Sequence, residues 1–255
     1  MEAGKLKTIV ILILLCVNLA FGGILLSERM DTAVGAAQSR SELAEVMARL
    51  GIELDPEIIP ADVSAVQYSV SRDPEAEEKL VAALLGEADG QDQGGNIRFY
   101  ENENGWARFR SGGSFEISLA VAGSSLDSRL RESGLSVVRD EESYVCTTGD
   151  ARIFNCRFNL SQRAGGIYVS GRFLPGAPEP EETAEKGDVG TLLLRFHDRM
   201  QDAGGIYTRI EEIMPGYVLN VSASSMELTP VWRITTDGGV WYLDVCAVRL
   251  LTMTA

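Results

Sequence analysis

The stretch PVWRITTDGGVWYLDVCAV, residues 230–248, carries the reading of the fold. Asp237-Gly238 is a hairpin turn pair set between two runs rich in β-branched and aromatic residues. With that pair as the turn, Ile234 faces Trp241 and Trp232 faces Leu243, all on one side of the ribbon. That side is a buried face. Regular pairing makes the two tryptophans core residues before it makes them the lining of a ligand groove.

Upstream, Leu192, Leu193, Phe196 and Met200 form one apolar stripe, which predicts a helix from about Val189 to Ala203 that Gly204-Gly205 stops. The segment before it, Pro175 to Gly187, is proline-rich and acidic and reads as an exposed linker. Strands are expected over about Ser143 to Phe158 and Ile167 to Phe173. Farther back, NIRFYENENGWARFRS (residues 96–111) reads as a hairpin on Asn104-Gly105, with Tyr100 opposite Phe109 and Glu101 opposite Arg108. A strand from Phe115 to Val121 follows the Gly112-Gly113 bend. Asp73-Pro74-Glu75 supplies an N-cap, a first-turn proline and a first-turn acid for a helix reaching Leu85. Before it, Val63 to Val70 reads as a strand. Ser39-Arg40-Ser41-Glu42 is a capping box, and Leu43, Val46, Met47 and Leu50 make a stripe that Gly51 ends.

One likeness organises these elements. LAEVMARLGIEL (43–54) and LDSRLRESGLSV (126–137) match at a constant offset, Leu43 with Leu126, Met47 with Leu130 and Gly51 with Gly134. A strand, a helix and a tight hairpin follow each copy. The expected fold class is therefore α+β: two related lobes with antiparallel sheets, residues 39–122 and 123–255.

The other end of the chain is different in kind. KLKTIVILILLCVNLAFGGILLSER (5–29) has no charge from Thr8 to Leu26, about 28 Å of helix, enough for a bilayer core. The expectation is a transmembrane helix over 8–27, a short cytoplasmic N-terminus over 1–7 and a stalk over 28–38. Lys5 and Lys7 before the run leave the N-terminus in the cytoplasm and everything from about Glu28 onward outside. Cleavage after Gly22 is the alternative, but Ile24, Leu25 and Leu26 would then remain as a greasy stub. Asn18 is polar in the middle of this run, and Ala20, Gly22 and Gly23 would let a second helix approach closely. These four residues are the expected partner-binding set.

Composition narrows the function further. A net charge of −14 repels phosphate backbones, so nucleic acid is not an expected partner. The single histidine, His197, has no second histidine nearby, and no nucleophile elbow, phosphate loop, CxxC or HExxH is present. No catalytic, cofactor-binding or metal-binding residues are expected. The acidic groups Glu75 to Glu78 and Glu179 to Glu182 lack an alternating oxygen-ligand loop and read as solvated acids. Cys146 and Cys156 flank the turn-like Thr148-Gly149-Asp150, either bridged by a disulfide or buried as free thiols.

A short charged N-terminus, one apolar run and an outer domain closing on Gly216-Tyr217, Leu228, Pro230 to Thr235, Asp237-Gly238 and Trp241 to Leu243 resemble the YycI family, also called WalI. RIFNCRFNL (152–160) resembles that family's phenylalanine-asparagine strand. The resemblance implies an α+β, membrane-anchored extracytoplasmic accessory protein, without catalytic residues. Its implied partners are the sensor histidine kinase YycG (WalK) and a YycH (WalH) companion, through which it would adjust cell-wall metabolism. The alternative is an extracytoplasmic binding module for a cell-wall fragment, lipid or peptide. Exposed aromatics would favour that alternative; burial of Trp106, Trp232 and Trp241 together would count against it.

Overall fold

A computed structural model describes residues 37–63, 66–120, 126–163, 166–181, 188–222 and 225–252. Four α-helices occur among them, with one short 3-10 turn at Pro56–Ile58. The first, α1, covers residues 37–49. Helix α2 (Pro74–Leu85) opens on Asp73, whose carboxylate accepts from the Glu75 amide at 2.9 Å. Helix α3 spans Leu126–Glu132. Helix α4 (Val189–Asp202) is capped by Asp188, which accepts from the amide and the hydroxyl of Thr191. The expected stripe Leu192, Leu193, Phe196 and Met200 is the face that α4 buries.

The strands are β1 (Glu53–Leu54), β2 (Tyr68–Val70), β3 (Asp89–Asp92), β4 (Ile97–Asn102), β5 (Gly105–Arg110) and β6 (Ser114–Leu119). They continue with β7 (Val137–Asp140), β8 (Ser143–Thr148), β9 (Ala151–Arg163), β10 (Gly166–Arg172) and β11 (Pro178–Pro180). The last four are β12 (Arg209–Val221), β13 (Met226–Thr236), β14 (Gly239–Asp244) and β15 (Arg249–Leu251). All belong to a single hydrogen-bonded sheet. Three times a helix leads into a four-stranded antiparallel meander: α2 into β3 to β6, α3 into β7 to β10, α4 into β12 to β15. An antiparallel β6–β10 contact and a parallel β9–β12 contact join the meanders.

The expected fold class is therefore corrected. In place of two lobes with antiparallel sheets stands one continuous mixed sheet, because the long β12–β13 hairpin passes through both large cores. Its far half gives Tyr217, Leu219 and Leu228 to one core, under α2 and α3. Its near half gives Ile210, Ile213, Trp232 and Ile234 to the other, under α1 and α4. The second core also takes Met47, Ile52 and Leu54 from the start of the described chain. The likeness of 43–54 to 126–137 is local: helix, glycine with positive φ, strand. The two strands then part company, β1 pairing parallel to β12 and β7 antiparallel to β8. No helix among the described residues is long and apolar enough to cross a membrane, and the expected span over 8–27 lies outside them.

Two smaller expectations also change. Within Pro175 to Gly187, expected as linker, Pro178–Pro180 forms the edge strand β11 against β2. The hairpin of 96–111 turns one residue earlier than expected, on Glu103-Asn104, so that Asn102 pairs with Gly105 and Phe99 with Arg108. The Asn102 side chain accepts from the Asn104 amide at 2.8 Å and closes the turn, while both asparagine side chains donate to the Leu85 carbonyl at the end of α2. Gly105 serves the strand instead: at φ 144° a Cβ there would lie 1.9 Å from the Ser118 carbonyl oxygen. The C-terminal hairpin keeps its expected register, Ile234 with Trp241 and Trp232 with Leu243.

Candidate functional site

Side chains alternate across a sheet, so burial sorts each strand into two sets. Tyr100, Ala107, Phe109, Phe115, Ile117, Leu119, Phe158 and Val169 belong to the core under α2 and α3. On β13, Leu228, Trp232 and Ile234 fall on that same side, so both large cores lie on one face. The residues between them point to the opposite face, over which no described helix packs. That bare face is the candidate site, and it carries two patches.

The first patch crosses β4, β5, β6, β10 and β9. One row across the strands reads Phe99, Arg108, Glu116, Ser170, Asn159, and the next reads Glu101, Trp106, Ser118, Tyr168, Ser161. The rings of Phe99 and Trp106 stack at 6.1 Å, and Tyr168 meets Trp106 edge-on at 6.3 Å. The Arg108 guanidinium lies 5.9 Å from the Phe99 ring centre and 5.6 Å from that of Trp106. Its Nε is buried without a hydrogen-bond partner, and its Nη1 is 3.6 Å from Glu116, too far for a hydrogen bond. Arg163 stacks on Tyr168 with 3.7 Å from guanidinium carbon to ring centre. All three rings are part exposed.

The second patch lies where β9 meets β12 to β15. Phe154, Val218 and Val231 are buried beneath the half-buried Met214, Tyr242 and Leu251. Arg233 crosses the Phe154 ring at 5.6 Å and pairs with Glu212 at 2.7 Å. The seam below is held by Asn155 in the phenylalanine-asparagine strand. Its amide donates to the Leu219 carbonyl and accepts from the Leu219 amide, both at 2.8 Å, completing by side chain a ladder that the backbones make only at Gly216 and Tyr217. Gly216 sits at the same seam, where a Cβ would come 2.6 Å from the Arg152 carbonyl oxygen.

The other residues singled out in the sequence have structural surroundings. Trp232 is core, while Trp241 is part buried and donates to the Thr236 hydroxyl at 3.3 Å. His197 is engaged at both ring nitrogens, by the Tyr207 hydroxyl at 3.0 Å and by Gln201 at 2.9 Å. Burial raises the Tyr207 hydroxyl well above its ordinary value, so it stays protonated. Cys146 and Cys156 are buried free thiols; burial pushes Cys146 up to about 12 and Cys156 well above its usual value. Glu77, expected to be solvated, is fully buried and bonds Arg72 through both carboxylate oxygens at 2.6 and 3.0 Å. Asn18, Ala20, Gly22 and Gly23 lie outside the described residues.

On the helix side, a cleft of about 400 Å³ opens between α2, the end of α3 and the β8–β9 turn, lined by Lys79, Leu80, Leu135, Thr148 and Leu174 among others. Neither patch of the bare face was foreseen. Its signal was present in the alternation of 97–110, where Phe99, Trp106 and Arg108 fall opposite the buried set, but the slipped turn hid which residues pair.

No family model matches this chain, and no curated protein matches it. Among solved structures, a crystal structure of an uncharacterized protein from Eubacterium rectale ATCC 33656, at 1.45 Å resolution, is similar to it with a TM-score of 0.45 and 13% identity, covering 75% of this chain and 86% of that one.

Proposed function

We propose that this chain is a non-catalytic accessory protein that acts by contact. Its partners in this reading are a sensor histidine kinase of the YycG (WalK) type and a YycH-like companion, in control of cell-wall metabolism. The observation that carries the reading is the apolar patch of Met214, Tyr242 and Leu251 on a sheet face that no described helix covers, rimmed by the Arg233–Glu212 pair. The resemblance of the C-terminal hairpin to the YycI family supports the choice of partner. The uncharged run from Thr8 to Leu26, with Lys5 and Lys7 before it, supports a folded part outside the cell membrane. Contacts that differ between the kinase's active and inactive states would then bias its equilibrium without chemistry by this protein. Gentle solubilisation of native membranes and recovery of the tagged full-length chain tests this: a histidine kinase should co-purify, and its absence contradicts the reading.

A second reading, an extracytoplasmic binding module, is favoured by one observation. Trp106 is part exposed beside Phe99 and Tyr168 on the bare face, as a ligand platform requires.

A further inference from the structure

We propose that the patch formed by Phe99, Trp106, Tyr168, Arg108 and Arg163 binds a carboxylate-bearing glycan chain. The proposal rests on the binding-module reading and gives it a site and a ligand class.

The patch lies across strands paired on both sides, and its place on the sheet selects the ligand. Three cavities of about 370 to 400 Å³ are lined by other residues. A protein partner anchors itself by side chains that fill pockets, and none of these three opens on the patch. An extended peptide could anchor through its backbone instead, but β5, β6 and β10 are paired on both edges, so no ladder groups are open to it. Sugar rings need neither pocket nor edge. Their C–H faces lie flat on aromatic rings, and their hydroxyls reach short polar side chains such as Ser118, which sits between Trp106 and Tyr168.

Charge selects the carboxylate. The whole chain has a net charge of −14, yet the outward positions of β5, β6, β10 and the far half of β9 carry Arg108, Arg110, Arg163 and Arg172 against Glu116 alone. The acids Glu101 and Asp89 stand at the outer edge, on β4 and β3. Arg108 and Arg110 share Glu116 at 3.6 and 3.7 Å, so neither guanidinium is fully engaged. Stacking on rings holds Arg108 and Arg163 in place, which lowers the entropy lost when a carboxylate docks. Arg108 stands on β5 and Arg163 stacks over β10, two strands away, on the order of 10 Å at roughly 4.8 Å per strand. Carboxylates that far apart belong to a chain and not to one sugar.

The test titrates the detergent-solubilised full-length chain with hexagalacturonate, cellohexaose and hexaglutamate, by calorimetry and tryptophan fluorescence. Hexagalacturonate is expected to bind, with cellohexaose and hexaglutamate at least tenfold weaker. Arg108→Gln and Trp106→Ala should each weaken hexagalacturonate at least tenfold, while Arg199→Gln, which removes the same charge from α4, should stay within twofold. Circular dichroism checks that each variant is folded; if Trp106→Ala is not, Arg163→Gln takes its place. No binding of hexagalacturonate at millimolar concentration overturns the proposal, as does unchanged binding by Arg108→Gln. Equal binding of cellohexaose overturns the carboxylate requirement, and equal binding of hexaglutamate transfers the patch to acidic peptides. Kinase recovery is not read here, so failure of this site leaves the accessory reading standing.

Discussion

The helix-covered face of the sheet and its bare face are built from alternate residues of the same strands, yet they hold different chemistry. Phe109 is fully buried against Phe115 and Phe173. Its neighbour Arg108 is part exposed between Phe99 and Trp106, with its Nε unpaired. On the covered face, close packing fixes each side chain by its neighbours, and a change is felt as lost stability. On the bare face, rings and guanidinium groups are held in place with part of their surface still in water. The difference separates the residues that make the fold from those left free to meet a partner, one peptide bond apart.

The contrast predicts an ordered series of effects. The largest belongs to the covered face: Trp232→Ala should destabilise by about 3 to 5 kcal/mol in urea unfolding, because a fully buried ring leaves a cavity between α4 and the hairpin. A loss below about 1 kcal/mol would erase the contrast. Next comes the seam. Asn155→Ala leaves both polar groups of Leu219 unpaired and should lower stability by about 2 kcal/mol, with faster amide exchange at Leu219. The bare face should respond least: Arg108→Gln is expected to change stability by less than about 1 kcal/mol, since its ion pair with Glu116 is long and part exposed.

Asp237 sharpens the comparison by pH. Its carboxylate accepts from the Thr208 hydroxyl and amide and the Arg209 amide, and these bonds, the Thr208 hydroxyl first, hold it below the usual carboxylate range. A depressed folded value means that the bonds stabilise the fold above the ordinary carboxylate range. That stability is lost as pH falls through the depressed value. Unfolding midpoints measured across acid pH should fall less steeply for Asp237→Asn than for the natural protein. Parallel curves would assign the acid sensitivity to other carboxylates.

The sequence made the local decisions legible. The Asp73 cap, the buried stripe of α4 and the register of Trp232 against Leu243 all follow from residues within one turn or one hairpin of each other. The seams were not legible. The parallel contact of β9 with β12 joins residues more than sixty positions apart through an asparagine side chain, and no period in the sequence announces it. The repeat of 43–54 at 126–137 encoded a shared helix, glycine and strand, while long-range pairing decided where each strand went. Asn104-Gly105 misplaced the turn because the close approach of Ser118 required the glycine in the strand. Glu77 reads as one solvated acid among three, and the Arg72 guanidinium folded over α2 makes its burial tolerable. The bare face eluded the reading for the same reason as the seams: alternation says that a strand has two sides, and the placement of helices decides which one stays open.

The most direct test of the account places one change on each side of the sheet and asks which one breaks contact. The tagged full-length chain should be recovered from native membranes as natural protein, as Met214→Glu on the bare face and as Asp198→Lys on the exposed side of α4, with folding checked by circular dichroism. The account predicts that a histidine kinase co-purifies with the natural protein and with Asp198→Lys and is lost with Met214→Glu. Kinase recovery that survives Met214→Glu, or that fails only with Asp198→Lys, would contradict it.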